Sequence, residues 1–107
     1  MFAEETEKLV DELINAEYKN ACENWGEKYH SFHEGYAVLF EEVEEVDLAV
    51  KNVKIDTELI WALIKNNCLT DSKLDRTISD IKEAIKELAQ VGAVVRKIRT
   101  TKDEVEE

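Results

Sequence analysis

The 107 residues include no proline and only three glycines, Gly26, Gly35 and Gly92. Proline and glycine are the strongest punctuators of local structure, and tight turns are built on them. A chain almost without them cannot reverse direction every few residues, as a strand-rich fold requires. It is confined to a few long elements, and those elements are helices.

The hydrophobic periodicity divides the chain. From about Glu4 to Trp25, Leu9, Leu13 and Ala16, with Val10, Ile14 and Ala21, recur at helical spacing, while Glu and Lys fill the outer face. Gly26 is a natural stop, since glycine reverses the backbone without a Cβ clash. Ser31-Phe32-His33-Glu34 fits the capping box that opens a helix. The stripe Tyr36, Leu39, Val43, Val46 and Val50 carries that helix to about Asn52, with a break expected near Val50, Val53 and Ile55. Asp56 or Thr57 can cap a shorter helix holding Leu59, Ile60, Trp61, Leu63 and Ile64, and Asn66-Asn67 disfavours its continuation. Thr70-Asp71 offers a new cap.

The last helix is expected from about Ser72 to Arg99, with Leu74, Ile78, Ile81, Ile85, Leu88, Val91 or Gly92, Val95 and Ile98 on its apolar side. Arg96, Lys97 and Arg99 complement the negative end of its dipole. Lys102 to Glu107 has no apolar period, so a frayed acidic tail is expected from about residue 101. The expectation is one all-α domain spanning 1–107, an antiparallel bundle of about four helices.

Charge narrows the functions open to such a domain. Fourteen Lys and Arg against 25 Asp and Glu give a formal net charge of −11. A surface this acidic repels phosphate backbones and anionic membranes, so neither direct nucleic-acid binding nor membrane binding is expected. A nucleotide would need a metal ion to bring it in. Cys22 and Cys68 form no CxxC or Cys/His pattern, the N-terminus has no apolar signal segment, and no apolar run is long enough for a membrane span. A reduced, cytoplasmic protein is expected. So short a chain buries a limited share of its surface, which points to a homo-oligomer.

The run Glu41-Glu42-Val43-Glu44-Glu45 sets four carboxylates in a helix that otherwise reads as apolar. Acids three residues apart share a helix face and repel unless something positive lies between them. Glu42 and Glu45 share a strip with Val38 and Ala49 that borders the apolar stripe, where desolvating carboxylates is costly unless they are paired or liganded. Glu41 and Glu44 fall with Glu34 and Leu48 on a wetter face. One reading is an ordinary solvated acidic helix. The other is a site for a hard divalent cation such as Mg²⁺, which gathers oxygens in this way. A cation site in a bundle also needs oxygens from a facing helix; the last helix offers Asp80, Glu83, Glu87 and Gln90, and spacing alone does not choose among them.

The segment Ser31-Phe32-His33-Glu34-Gly35-Tyr36-Ala37-Val38-Leu39-Phe40-Glu41-Glu42-Val43-Glu44-Glu45 resembles the small MazG-like proteins of phages and prophages, within the all-α nucleoside triphosphate pyrophosphohydrolase superfamily. Glu87-Leu88-Ala89-Gln90-Val91-Gly92-Ala93 is similar to the second motif of that group. The resemblance spans roughly Glu17 to Arg99. It implies that Glu42 and Glu45 form the E-x-x-E pair and Glu87 opens the E-x-x-D pair, together holding Mg²⁺, with Mn²⁺ as an alternative. It also implies attack by water on the α–β linkage of a nucleoside triphosphate, with Glu41 or Glu44 orienting or deprotonating that water. For a phage-encoded member the compartment would be the host cytoplasm. Gln90 stands where the family has aspartate, and its neutral oxygen is a weaker Mg²⁺ ligand. The stretch between the motifs is also longer than usual. Both departures count against full activity and leave two alternatives open. One is a catalytically weakened member that binds nucleotide or protein. The other is an acidic phage inhibitor whose carboxylates mimic a phosphate backbone; a mimic needs its acids spread out, whereas a metal site needs a few to converge.

Trp25, Trp61, Tyr29 and Tyr36 can stack on a base, but their helical placement equally suits packing. Lys54, Lys65 and Arg76 can meet phosphate only if they reach the cleft. His30 and His33, with Cys22 upstream, lack the ligand spacing of a zinc site. Ser31 has no base at a readable spacing.

Overall fold

The computed structural model describes residues 3–101 and is all helical, with three helices. They are α1 (Glu4–Trp25), α2 (Phe32–Lys65) and α3 (Asp71–Thr100). The expected acidic tail from Lys102 to Glu107 lies outside the described residues.

The expected break in the second helix does not occur. α2 runs without interruption through Val50, Val53 and Ile55, so two anticipated helices are one. No glycine or proline interrupts the backbone beyond Gly35, and the residues expected to cap a new helix are otherwise engaged. The Thr57 hydroxyl donates back to the Val53 carbonyl at 2.9 Å, as threonine does inside a helix. Asp56 is buried in the helix-pair interface.

The ends follow local chemistry. Gly26, at φ 89°, stops α1, and its N–H bonds to the Cys22 carbonyl. Ser31 Oγ accepts from the Glu34 amide at 3.1 Å, while the Glu34 carboxylate accepts from the His30 amide, one residue before the cap. α2 ends in a Schellman-type turn: Asn67 takes φ 55°, Cys68 N–H bonds to the Leu63 carbonyl and Asn67 N–H to that of Ile64. Thr70 Oγ1 then caps α3 by accepting from the Lys73 amide.

α2 and α3 form a long antiparallel hairpin. Gly35 lies against Ile98 at one end, and Asp56 faces Asp80 further along. On α2 the inward positions are Gly35, Leu39, Glu42, Val46, Ala49, Val53, Asp56, Ile60 and Leu63, all buried or half-buried. They alternate in steps of four and three, the pattern of a coiled-coil seam. Thr77, Asp80, Ala84, Glu87, Val91, Val94 and Ile98 repeat the pattern on α3. Of the stripe expected on the second helix, Leu39 and Val46 face the seam, whereas Tyr36, Val43 and Val50 are exposed. Glu42 occupies a seam position that the sequence had placed only beside it.

α1 packs on the second half of α3 and makes no close backbone approach to α2. Ile14 lies against Gly92, and the Arg96 guanidinium donates to Asn15 Oδ1 and sits 5.3 Å from the Tyr18 ring. The rest of the hairpin projects beyond α1. The molecule measures 64 × 29 × 27 Å, with a radius of gyration of 17.9 Å. A compact chain of this length would have about 13 Å. Among the described residues the buried apolar side chains are all small (Ala49, Ala84, Ala89, Ala93 and Val94), and no large side chain is fully buried.

Candidate metal centre

The seam brings acids from α2 and α3 together. One carboxylate oxygen from each of Glu42, Glu45 and Glu87 lies within 4.8 Å of the other two. Two oxygens on one Mg²⁺ are at most about 4.2 Å apart, so small rotamer adjustments would bring the three into a common coordination sphere. Gln90, one turn beyond Glu87, completes the group. With its amide nitrogen turned toward the acids, it donates to Glu42 Oε2 at 3.3 Å and to Glu87 Oε2 at 3.2 Å.

Partial burial pushes the Glu42 carboxyl above its ordinary value of 4.5, and the charges of Glu45 and Glu87 push it further. Glu87 is raised for the same first reason, then by Glu45. Among the described residues no cationic side chain neutralises them; the ion pair formed there, Lys86 to Glu83 at 3.9 Å, is exposed and elsewhere. Desolvation and mutual repulsion both favour adding a positive charge here, and the all-oxygen donor set suits a hard divalent cation.

Glu42 and Gln90 also line a cleft of about 650 Å³ between α1, the 26–31 connection, α2 and α3. The connection is tied to the end of α3. Tyr29 N–H donates to Thr101 Oγ1 at 3.0 Å, and the Thr100 hydroxyl donates to the Glu27 carbonyl at 3.0 Å. Tyr29, Trp25 and His30 bring rings to the cleft, and Lys28 and Lys97 bring cations. Lys97 is only 4 % exposed. Its ammonium lies 4.3 Å from the centre of the Tyr29 ring and 3.5 Å from the Trp25 carbonyl oxygen, and no carboxylate among the described residues pairs with it.

The other expected residues divide cleanly. Glu41 lines the cleft, whereas Glu44, about 200° around α2 from Glu42, is exposed and does not. Asp80 belongs to a separate pair with Asp56, and Glu83 is the exposed partner of Lys86. Trp61 stacks under Lys65 far from the cleft, and Tyr36 packs against Phe40. Lys54, Lys65 and Arg76 do not line the cleft.

Lys97 is the residue that sequence reasoning passed over. Glu87, Gln90, Val94 and Lys97 follow one another at three- and four-residue steps, so a single helical face carries all four. Within the basic run Arg96-Lys97-Arg99, that placement was masked by the simpler account of dipole complementation. Compared with known proteins, the chain matches no family model, no curated protein and no solved structure.

Proposed function

We propose that this chain is a MazG-like nucleoside triphosphate pyrophosphohydrolase, dependent on Mg²⁺ or Mn²⁺, releasing a nucleoside monophosphate and pyrophosphate. The observation that carries this reading is the convergence of Glu42, Glu45 and Glu87, from two helices, beside a cleft that holds the buried Lys97 ammonium. Opposite charges within one cleft suit a ligand that is itself anionic but arrives with a cation. A volume of about 650 Å³ falls within the range of small-molecule sites.

In this reading Glu42, Glu45 and Glu87 hold the cation, with the Gln90 side-chain oxygen turned inward as a neutral fourth donor. The cation supplies charge neutralisation of the triphosphate and a lowered pKa for the attacking water. Lys97 and Lys28 meet phosphate oxygens, and Tyr29 or Trp25 offers a face to the base. Glu41 orients the water or accepts its proton; Glu44 points elsewhere on α2. Water attacks the α-phosphorus, the bond to the bridging oxygen breaks, and pyrophosphate leaves.

A panel of nucleoside triphosphates with Mg²⁺, scored for pyrophosphate, tests the reading directly. Release that is lost on Glu42→Ala supports it, and no turnover of any triphosphate with either metal removes it. One observation favours a second reading, a weakened member that binds nucleotide without hydrolysing it. Gln90 donates to two of the carboxylates and can partly satisfy them without a cation. Calorimetry separates the readings: metal-dependent triphosphate binding with no pyrophosphate release identifies the second.

A further inference from the structure

The two ends of the hairpin are held unequally. Near Gly35 the helices are clamped by Ile98, by the 26–31 connection bonded to Thr100 and Thr101, and by α1 lying on α3. Beyond α1, among the described residues, the two helices pack on each other alone. Val53, Ile60, Leu63 and Thr77 face inward there and are half-buried, so little apolar surface is removed from water. Asp56 sits among them, 6 % exposed, with Asp80 opposite it across the seam.

Asp56 brings acceptors to this place and meets no donor. Its buried Oδ2 has no hydrogen-bond partner. The neighbouring hydroxyls are committed to their own helices, Thr57 to the Val53 carbonyl at 2.9 Å and Thr77 to that of Lys73 at 3.3 Å. The charged groups that bear on Asp56 are Asp80 and Arg76, both on α3; α1 makes no close approach to α2. Arg76, one turn before Asp80, forms no ion pair with either acid among the described residues. The Glu42–Glu87 junction has the Gln90 amide as its donor, and this junction has no counterpart to it among the described residues. Two carboxylates facing one another repel when both are ionised. One proton joins them, because it turns one acid into a donor toward the other.

We propose that Asp56 and Asp80 share one proton as a latch on the projecting end of the hairpin, closed while the proton is held and released when it leaves, the end under α1 staying shut. Hydrogen bonding to Asp80, then burial, then the charge of Asp80 raise the Asp56 carboxyl above its ordinary 3.8, and Arg76 pulls it back. The closed form therefore keeps a proton that the open form gives up at the same pH. Opening gains with pH from 3.8 to the raised value, by up to about tenfold per pH unit for one proton, and levels off above it. Segments with few buried apolar contacts open locally, without the rest of the molecule. Release uncovers Val53, Ile60 and Leu63, which gives the projecting end an apolar surface gated by pH.

The latch is independent of the chemistry proposed for the cleft, and hydrogen exchange in metal-free buffer tests it without any activity. With the intrinsic exchange rate corrected for, wild-type amides in residues 58–79 should lose protection by up to about tenfold per pH unit as pH rises from about 4. In Asp56→Asn and in Asp80→Asn an amide donates to the remaining acid at any pH. Both variants should therefore lack that slope in residues 58–79, while residues 35–46 and 87–98 behave as in the wild type. Arg76→Gln removes the charge that opposes protonation, so its loss of protection should begin at higher pH than in the wild type. If residues 58–79 of both Asn variants follow the wild-type pH dependence, the proposal is overturned. It is also overturned if the two substitutions change protection equally at both ends of the hairpin, because the proton then governs unfolding of the whole chain.

Discussion

Glu42 and Glu87 meet across the α2–α3 seam, with the Gln90 amide bonded to both. Two acids at inward positions of a helix pair, satisfied in part by a neutral amide, make a junction whose stability depends on what positive charge it can find.

The pH dependence of folding reports that cost. Both carboxyls are raised from an ordinary value of 4.5, so their stabilising contribution is complete below that pH and is lost as pH rises through the higher folded values. In metal-free buffer, thermal melts of the wild type should lose more stability above pH 4.5 than melts of Glu87→Gln. At pH 7, Mg²⁺ should raise the wild-type melting temperature and leave Glu87→Gln nearly unchanged. Equal metal responses from the two proteins would remove the cation from this site.

Gln90→Asp replaces the amide donor with a fourth acid. Metal-free, this variant should melt below the wild type, because two hydrogen bonds become two repulsions. With Mg²⁺ it should bind the cation more tightly and release pyrophosphate faster, by tenfold or more if that ligand limits turnover, on the rule that about 1.4 kcal/mol is one decade in rate. Calorimetry and a pyrophosphate assay measure the two effects separately.

Asp56 supplies a second acidic junction. It is 6 % exposed, and its buried Oδ2 has no hydrogen-bond partner. Its pKa is raised first by hydrogen bonding to Asp80, which needs a proton on one of the two carboxyls, then by burial and by the charge of Asp80, while Arg76 opposes the shift. Stability from this pair is present below the ordinary 3.8 and is lost as pH rises through the folded value. Asp56→Asn can donate to Asp80 at any pH. It should raise the melting temperature at pH 7 and flatten its decline between pH 4 and 7, as followed by circular dichroism.

Gly35 is a tight point of the hairpin. A Cβ there would stand 2.8 Å from Ile98 Cγ1 and 3.1 Å from Tyr29 Cδ2. Gly35→Ala should therefore cost about 1–3 kcal/mol in urea unfolding, the usual penalty for overpacking. Because Tyr29 must shift, the variant should also weaken ligand binding in the cleft.

Much of the scaffold was legible from residue pattern alone. The limits of the first helix, the Ser31 cap, the stop at Asn66-Asn67 and the Thr70 cap are all local chemistry, readable without knowing what packs on them. The continuity of α2 was not. Asp56 and Thr57 are good capping residues, and only the facing helix decides that one is buried and the other bonds back along its own helix. The stripe was misread for a related reason. α2 has two apolar faces, and Tyr36, Val43 and Val50 look like core until α3 takes the face bearing Leu39, Val46 and Ala49. At the candidate site, spacing grouped Glu42 with Glu45 but left Asp80, Glu83, Glu87 and Gln90 open on the last helix; only the resemblance singled out Glu87 and Gln90. Lys97 was not legible, and nothing in the pattern separated Tyr29 and Trp25 from Tyr36 and Trp61, since their place depends on how the 26–31 connection is pinned to the end of α3.

Alanine lines the hairpin on both sides near its middle, Ala49 on one helix and Ala84 on the other. Those methyl groups act as a gauge, fixing how far apart the two backbones run through the neighbouring turns that bear Glu45 and Glu87. A bulkier residue at either position would spread the rods like a wedge and alter the spacing of the carboxylates without touching any of them. If the proposed cation binds there, selectivity between a small and a larger divalent ion would be tunable from alanine positions that supply no ligand.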